Sequence, residues 1–139
     1  MGVFSAGEIE YLGGQRLGRL ATVTADGRPH VVPTGFRLDH ENGILKIGAH
    51  DLPGRGQRRG YRGHIANNPW VAFVVDDVAT VEPWAPRGVA VKGHAEIQET
   101  GGELLGRGFG PLWVRITPSW VSSWGIDNGS YDKPIVRAV

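Results

Sequence analysis

The stretch "RLGRLATVTADGRPHVVPTGFRL", Arg16 to Leu38, decides the fold. At its centre is Asp26-Gly27, a dipeptide that favours the mirror-image turns whose twist suits two antiparallel strands. In the second arm Val32, Thr34, Phe36 and Leu38 fall on one face, and Val31, Pro33, Gly35 and Arg37 on the other. Side chains two apart on a strand point the same way, so this arm is expected to bury one face and expose the other. Pro33 has no amide hydrogen to give a ladder, which predicts an edge strand or a bulge there.

Before the hairpin, Ser5-Ala6-Gly7-Glu8 has the form of a capping box,. Ile9, Leu12 and Phe4 supply one apolar stripe, and Gly13-Gly14 ends the helix,. After the hairpin, Asn42-Gly43 turns the chain into "ILKIGA". "WVAFVVDD" (Trp70–Asp77) is a nearly continuous apolar run, consistent with a strand covered on both faces,. "VAVKGHAEIQ" alternates, with Val89, Val91, Gly93, Ala95 and Ile97 facing in and Lys92, His94 and Glu96 out. "LWVRITPSWVSSWGI" reads as two short strands around Pro118, and "DNGSYDKPIVRAV" carries no regular period. One short helix and six or seven antiparallel strands make a mainly β chain, closest to a small barrel, with residues 1–139 as a single domain.

Composition narrows the function. At 139 residues, 40% hydrophobic and 21% charged, the chain is large enough to bury a core without metal or disulfide staples,. Cysteine is absent, which excludes a thiolate nucleophile and a Cys-based metal site,. No apolar run approaches the length of a bilayer span, and "MGVFSAGEIEYLGGQRLG" lacks a signal-peptide core, so a soluble cytoplasmic protein is expected,. His30, His40, His50, His64 and His94 show no zinc-binding spacing,. Asp76-Asp77 reads as a polar strand end rather than an acid–base pair, and Ser122-Ser123 lacks a nucleophile elbow,. The tryptophans read most simply as core or interface residues.

One segment stands apart. "HDLPGRGQRRGYRGHIANNP" (His50–Pro69) sets Arg55, Arg58, Arg59 and Arg62 among glycines, while the remainder of the chain is net acidic. It lies between two strands and is far longer than a hairpin needs, and Arg58 to Asn67 has room for a helical turn or two. Three readings are open: an arm for nucleic acid, a solvated loop, or a socket for a phosphate or carboxylate. Segments that grip nucleic-acid backbones are usually repetitive, and this one occurs once. Glycines let backbone N–H groups approach an anion, and arginine's planar fork completes the cage. The socket is the preferred reading.

The residues "LGRLATVTADGRPHVVPTGFRLD", "KGHAEI" and "RITPSWVSSWGID" together resemble the pyridoxamine 5′-phosphate oxidase-like split β-barrel proteins. "FVVDDVATVEPWAPRGVAVKG" and "SWGID" are similar to an actinobacterial branch that uses the deazaflavin coenzyme F420 and includes tailoring reductases of aromatic polyketides. The resemblance implies a six-stranded antiparallel split β-barrel with short helices, and a homodimer with its cofactor in the groove between subunits. It implies a cofactor phosphate against Arg58, Arg59 and Arg62, with Arg55 next. It sets Thr22, Pro33, Thr34 and Gly35 beside the ring system, and Trp124 near it. For Thr22 a plain β-propensity choice, and for Gly35 a bulge, are equally good explanations. The implied activity is hydride transfer from reduced F420 to an activated C=C bond of a small enone or quinone-like acceptor. The alternatives are an FMN-dependent reductase or oxidase-like protein of the same fold, and a non-catalytic F420-binding protein. His50, Tyr61 or solvent would supply the proton, and Arg37, Arg87 or Arg115 would meet an oligoglutamate tail. Neither nucleic acid nor membrane is expected as a partner.

Overall fold

The computed structural model describes residues 2–52, 55–56 and 60–139, with the backbone alone described at 55 and 56. Helix α1 (Ala6–Gly13) begins at Ser5, whose hydroxyl accepts from the Glu8 amide while the Glu8 carboxylate accepts from the Ser5 amide. Two otherwise orphaned donors are thus satisfied reciprocally. Phe4 and Leu12 are buried as expected, and Tyr11 is buried with them, while Ile9 is only partly covered. Glu8, the cap residue, is fully buried and meets Arg137 from the far end of the chain.

Strands β1 (Leu17–Val23) and β2 (Pro29–Gly35) form the hairpin, closed at Gly27 with φ +86° and running in unbroken register from Val23↔Pro29 to Leu17↔Gly35. The unbroken register leaves no bulge at Gly35. β2 ends the sheet, so Pro33 costs it no inner ladder,. There follow β3 (Arg37–Asp39), β4 (Ile44–Leu52), the short β5 (Arg55–Gly56), helix α2 (Tyr61–Asn67) and β6 (Trp70–Val78). The chain continues through β7 (Pro86–Gln98), a 3₁₀ turn (Gly102–Leu105), β8 (Phe109–Trp124) and β9 (Ile135–Ala138).

The strands form one antiparallel sheet in the order β2-β1-β6-β7-β8-β4-β3, with β5 on β4 and β9 on β8. The sheet curls until β2 approaches β4, but no ladder joins them among the described residues, so it stays open. Its concave face holds Leu20, Ile47, Phe73, Val75, Val91, Val114, Ile116 and Val121, all nearly inaccessible to solvent.

Three expectations change. β8 is one strand of 16 residues, not two strands around Pro118. β4 pairs with it up to Ile116 and β9 from Trp120, so Pro118 falls where the neighbour changes. On the other edge a register shift at Lys92/Gly93 brings Gly93 opposite Pro118, which is where a ladder tolerates a residue without an amide hydrogen. The tail does contain a strand, β9, too short and too mixed in polarity to announce itself. β6 buries only one face: Val71, Phe73 and Val75 point into the core, while Ala72 and Val74 lie half-covered on the outside beside Ala21, Val31 and Ala90.

Candidate anion and cofactor site

The arginine-bearing connection leaves β4, forms β5 against it (Asp51↔Gly56, Leu52↔Arg55), and then builds α2. Tyr61 and Ile65 are the buried stripe of this helix. Gly60, at the cap position, has no side chain to satisfy the first amides. Arg62 lies beside that stripe. Its Nη1 is enclosed and, among the described residues, has no hydrogen-bond partner. Burial lowers the guanidinium's pKa, opposed by Tyr61. An enclosed cationic donor without a partner is costly, and an anion seated against it relieves that cost. Arg58 and Arg59 lie outside the described residues, as does the side chain of Arg55.

Strand β1 meets the helix from below. Thr22, 2% exposed, points inward, and its Oγ1 lies 2.8 Å from His64 Nδ1 on α2. The His64 ring meets His30 edge-on, with centroids 4.8 Å apart and an interplanar angle of 78°. Thr22 and His30 are cross-strand partners, so the hairpin register delivers both groups to the helix. The expected ring-side residues divide. Thr34 points inward, buried, with its hydroxyl oxygen unpartnered, whereas Pro33 and Gly35 lie exposed on the outer face.

Thr34 and Thr22 stand toward opposite ends of the hairpin, opposite Gly18 and His30 respectively. Trp124 lies opposite Gly88, which is itself opposite Asp76 near the end of β6, whereas α2 leads into β6 at Trp70. Within one chain these positions are roughly 20 Å apart along the strand. One subunit thus brings Thr22 to the Arg62 helix and keeps Trp124 at the other end of the sheet.

His50 is exposed near the end of β4, its ring edge-on to Phe109 at 4.6 Å, while Tyr61 is enclosed by the core. Asp76 pairs with Arg19. Asp77 takes two hydrogen bonds from Arg87, at 2.8 and 3.1 Å, and a third from the Tyr11 hydroxyl at 3.0 Å. The Arg87 fork holds the Asp77 carboxyl below its ordinary range, against burial, and burial with the neighbouring Asp77 drives the Tyr11 phenol up. This cluster borders a cavity of about 400 Å³ together with Gln15 and Ile126. Arg37 bonds the Phe36 carbonyl at the rim of a second cavity, shared with Lys46 and Glu41. Among the described residues no cluster of three or more His, Asp or Glu is placed to hold a metal ion. No helix among them is long and apolar enough to cross a membrane.

Sequence reasoning passed over His64 and His30, because it weighed histidines only by zinc spacing. The hairpin centred on Asp26-Gly27 already implied that His30 faces Thr22.

The sequence pattern of pyridoxamine 5′-phosphate oxidase matches residues 8–130. The chain belongs to that family. Another relative of this oxidoreductase family is the 5a,11a-dehydrotetracycline/5a,11a-dehydrooxytetracycline reductase of Streptomyces rimosus. It is 41% identical over 124 residues, covering 89% of this chain and 84% of that one. Among solved structures, an FAD-binding protein from Mesorhizobium loti superposes with a TM-score of 0.62 at 25% identity, over 86% of this chain and 94% of the other. The FAD-binding protein of Mycobacterium smegmatis gives 0.61 at 23% identity, over 86% and 93%. The pyridoxamine 5′-phosphate oxidase-like fold implied by the resemblance is therefore shown, as is the family.

Proposed function

We propose that this chain is a reductase that transfers hydride from reduced F420 to an activated C=C bond in a small conjugated acceptor. The observation that carries the reading is the likeness to the dehydrotetracycline reductase across nearly the whole chain. That relative's name describes saturation of one carbon–carbon double bond in a polycyclic substrate. The enclosed Arg62 Nη1, which has no hydrogen-bond partner among the described residues, fits a cofactor phosphate.

When bound, the reduced deazaflavin supplies the hydride. The protein's own part is to bind and orient. Arg62, with Arg58, Arg59 and Arg55, holds the anionic end, and Pro33 and Gly35, on the exposed face of β2, border the ring. A second copy of the chain brings Trp124 to the groove, since within one subunit Trp124 is far from the arginine helix. The outer apolar strip of Val31, Ala72, Val74 and Ala90 supports such a homodimer, because Val31 is 65% exposed,. Proximity and exclusion of water do most of the work in hydride transfer, which accounts for the lack of a conspicuous catalytic dyad. Of the two residues considered as proton donors, His50 is the one exposed to solvent, while Tyr61 is enclosed.

A second reading, the same fold with a flavin such as FMN, is favoured by the likeness to the Mesorhizobium loti FAD-binding protein. Side-by-side titration with F420 and FMN, followed by quenching of tryptophan fluorescence, separates the two. Tighter binding of F420 is expected. A preference for FMN moves the assignment to a flavoprotein, and binding of neither removes the cofactor reading.

A further inference from the structure

We propose that His64 is a positioning residue that sets the roll of helix α2 and so aims Arg62 at its anion; this rests on the reading of Arg62 as an anion holder. Helix α2 is seven residues long, has Gly60 at its cap without a side-chain bond, and carries Gly63 inside. A helix this short and this rich in glycine has little orientation of its own, and its contacts must impose one.

Those contacts are asymmetric. Tyr61 and Ile65 mark the buried stripe. At about 100° per residue, Arg62 and His64 fall about 80° to either side of it. A roll that lifts one flank therefore lowers the other. The His64 flank is pinned by Thr22 Oγ1 at 2.8 Å and by the edge of His30. Thr22 is itself held in the hairpin ladder, near its turn end and opposite His30. The Arg62 flank carries the enclosed Nη1 with no partner. One side of the helix is fixed to the sheet so that the other can present a desolvated donor without choosing its own angle. Holding a donor in place before its anion arrives is what makes such a donor effective.

The test is binding of F420 by fluorescence quenching, with inorganic pyrophosphate as competitor, in wild type, Arg62→Ala, His64→Ala and the double variant. Arg62→Ala is expected to weaken binding about tenfold or more, the size of a charge-assisted hydrogen bond. His64→Ala is expected to weaken it at least about threefold, and Arg62→Ala to cost much less in that background, because the two act as a unit. His64→Asn, whose amide oxygen stands where Nδ1 was, should restore binding to within about twofold. Thr22→Val removes the same bond from the strand side and should repeat the His64→Ala loss; it replaces that variant if His64→Ala does not fold. If Arg62→Ala weakens binding but His64→Ala and Thr22→Val do not, or if the losses simply add, the positioning role is wrong while the anion site stands. If Arg62→Ala binds as wild type does, the anion site itself falls, and this proposal with it.

Discussion

At the scale of single residues, the chain concentrates its unmet polar demand in few places. Arg62 presents an enclosed donor without a partner among the described residues, and the sequence sets three further arginines just before it. Arg58→Ala and Arg59→Ala should each weaken cofactor binding by about 1.5–3 kcal/mol where the guanidinium pairs with phosphate. Titration of the purified variants measures this, and unchanged affinity in both would remove the arginine-loop socket. Glu8 is the opposite case, a buried carboxylate whose demands are all met. Burial would raise its pKa, but Arg137 and the Ser5 amide outweigh that and hold it below the ordinary value of 4.5. A carboxyl depressed in the folded state stabilises the fold above its unfolded pKa, and that contribution fades as pH falls through the folded value. Glu8→Gln should therefore cost about 2–4 kcal/mol near neutral pH. The gap from wild type should narrow below about pH 4.5 in denaturant titrations.

At the scale of elements, β8 is met by close backbone approaches, one of them at Gly93. A methyl group at position 93 would lie 2.1 Å from the Thr117 carbonyl oxygen and 2.9 Å from Pro118 Cα. Those are backbone atoms, which cannot swing aside. Gly93→Ala should destabilise the fold by about 1–3 kcal/mol or more, seen as a lowered melting temperature. The elements legible in the sequence were those with a local signature. The Asp26-Gly27 turn fixes its hairpin by itself, and the Ser5–Glu8 box fixes α1. Pro118 argued locally for a break that β4, β7 and β9 together remove. The proposed socket around Arg62 was visible as a cluster of one residue type. Its mooring, Thr22 to His64, joins positions 42 apart and left no local trace.

At the scale of the whole molecule, the sheet has two unequal surfaces. The concave one is the core, and the convex one carries Ala72, Val74, Ala90 and the exposed Val31 between Arg19 and Lys92. Homodimerisation was an expectation from family resemblance, with only the abundance of tryptophan beside it, and this surface is the one we propose for it. Val31→Asp should leave the monomer folded and shift sedimentation toward a single subunit, with F420 binding weakened because the partner's share of the groove is lost. An oligomeric state unchanged by Val31→Asp would locate the contact elsewhere.

The meeting of Glu8 with Arg137 also bears on how the molecule comes into being. The two are 129 positions apart, and Arg137 also donates to the Val3 carbonyl through Nε and Nη2. During synthesis Glu8 is made long before its partner, and a carboxylate does not leave water alone. Docking of helix α1 is therefore tied to that of β9, and neither element is secure in its place without the other.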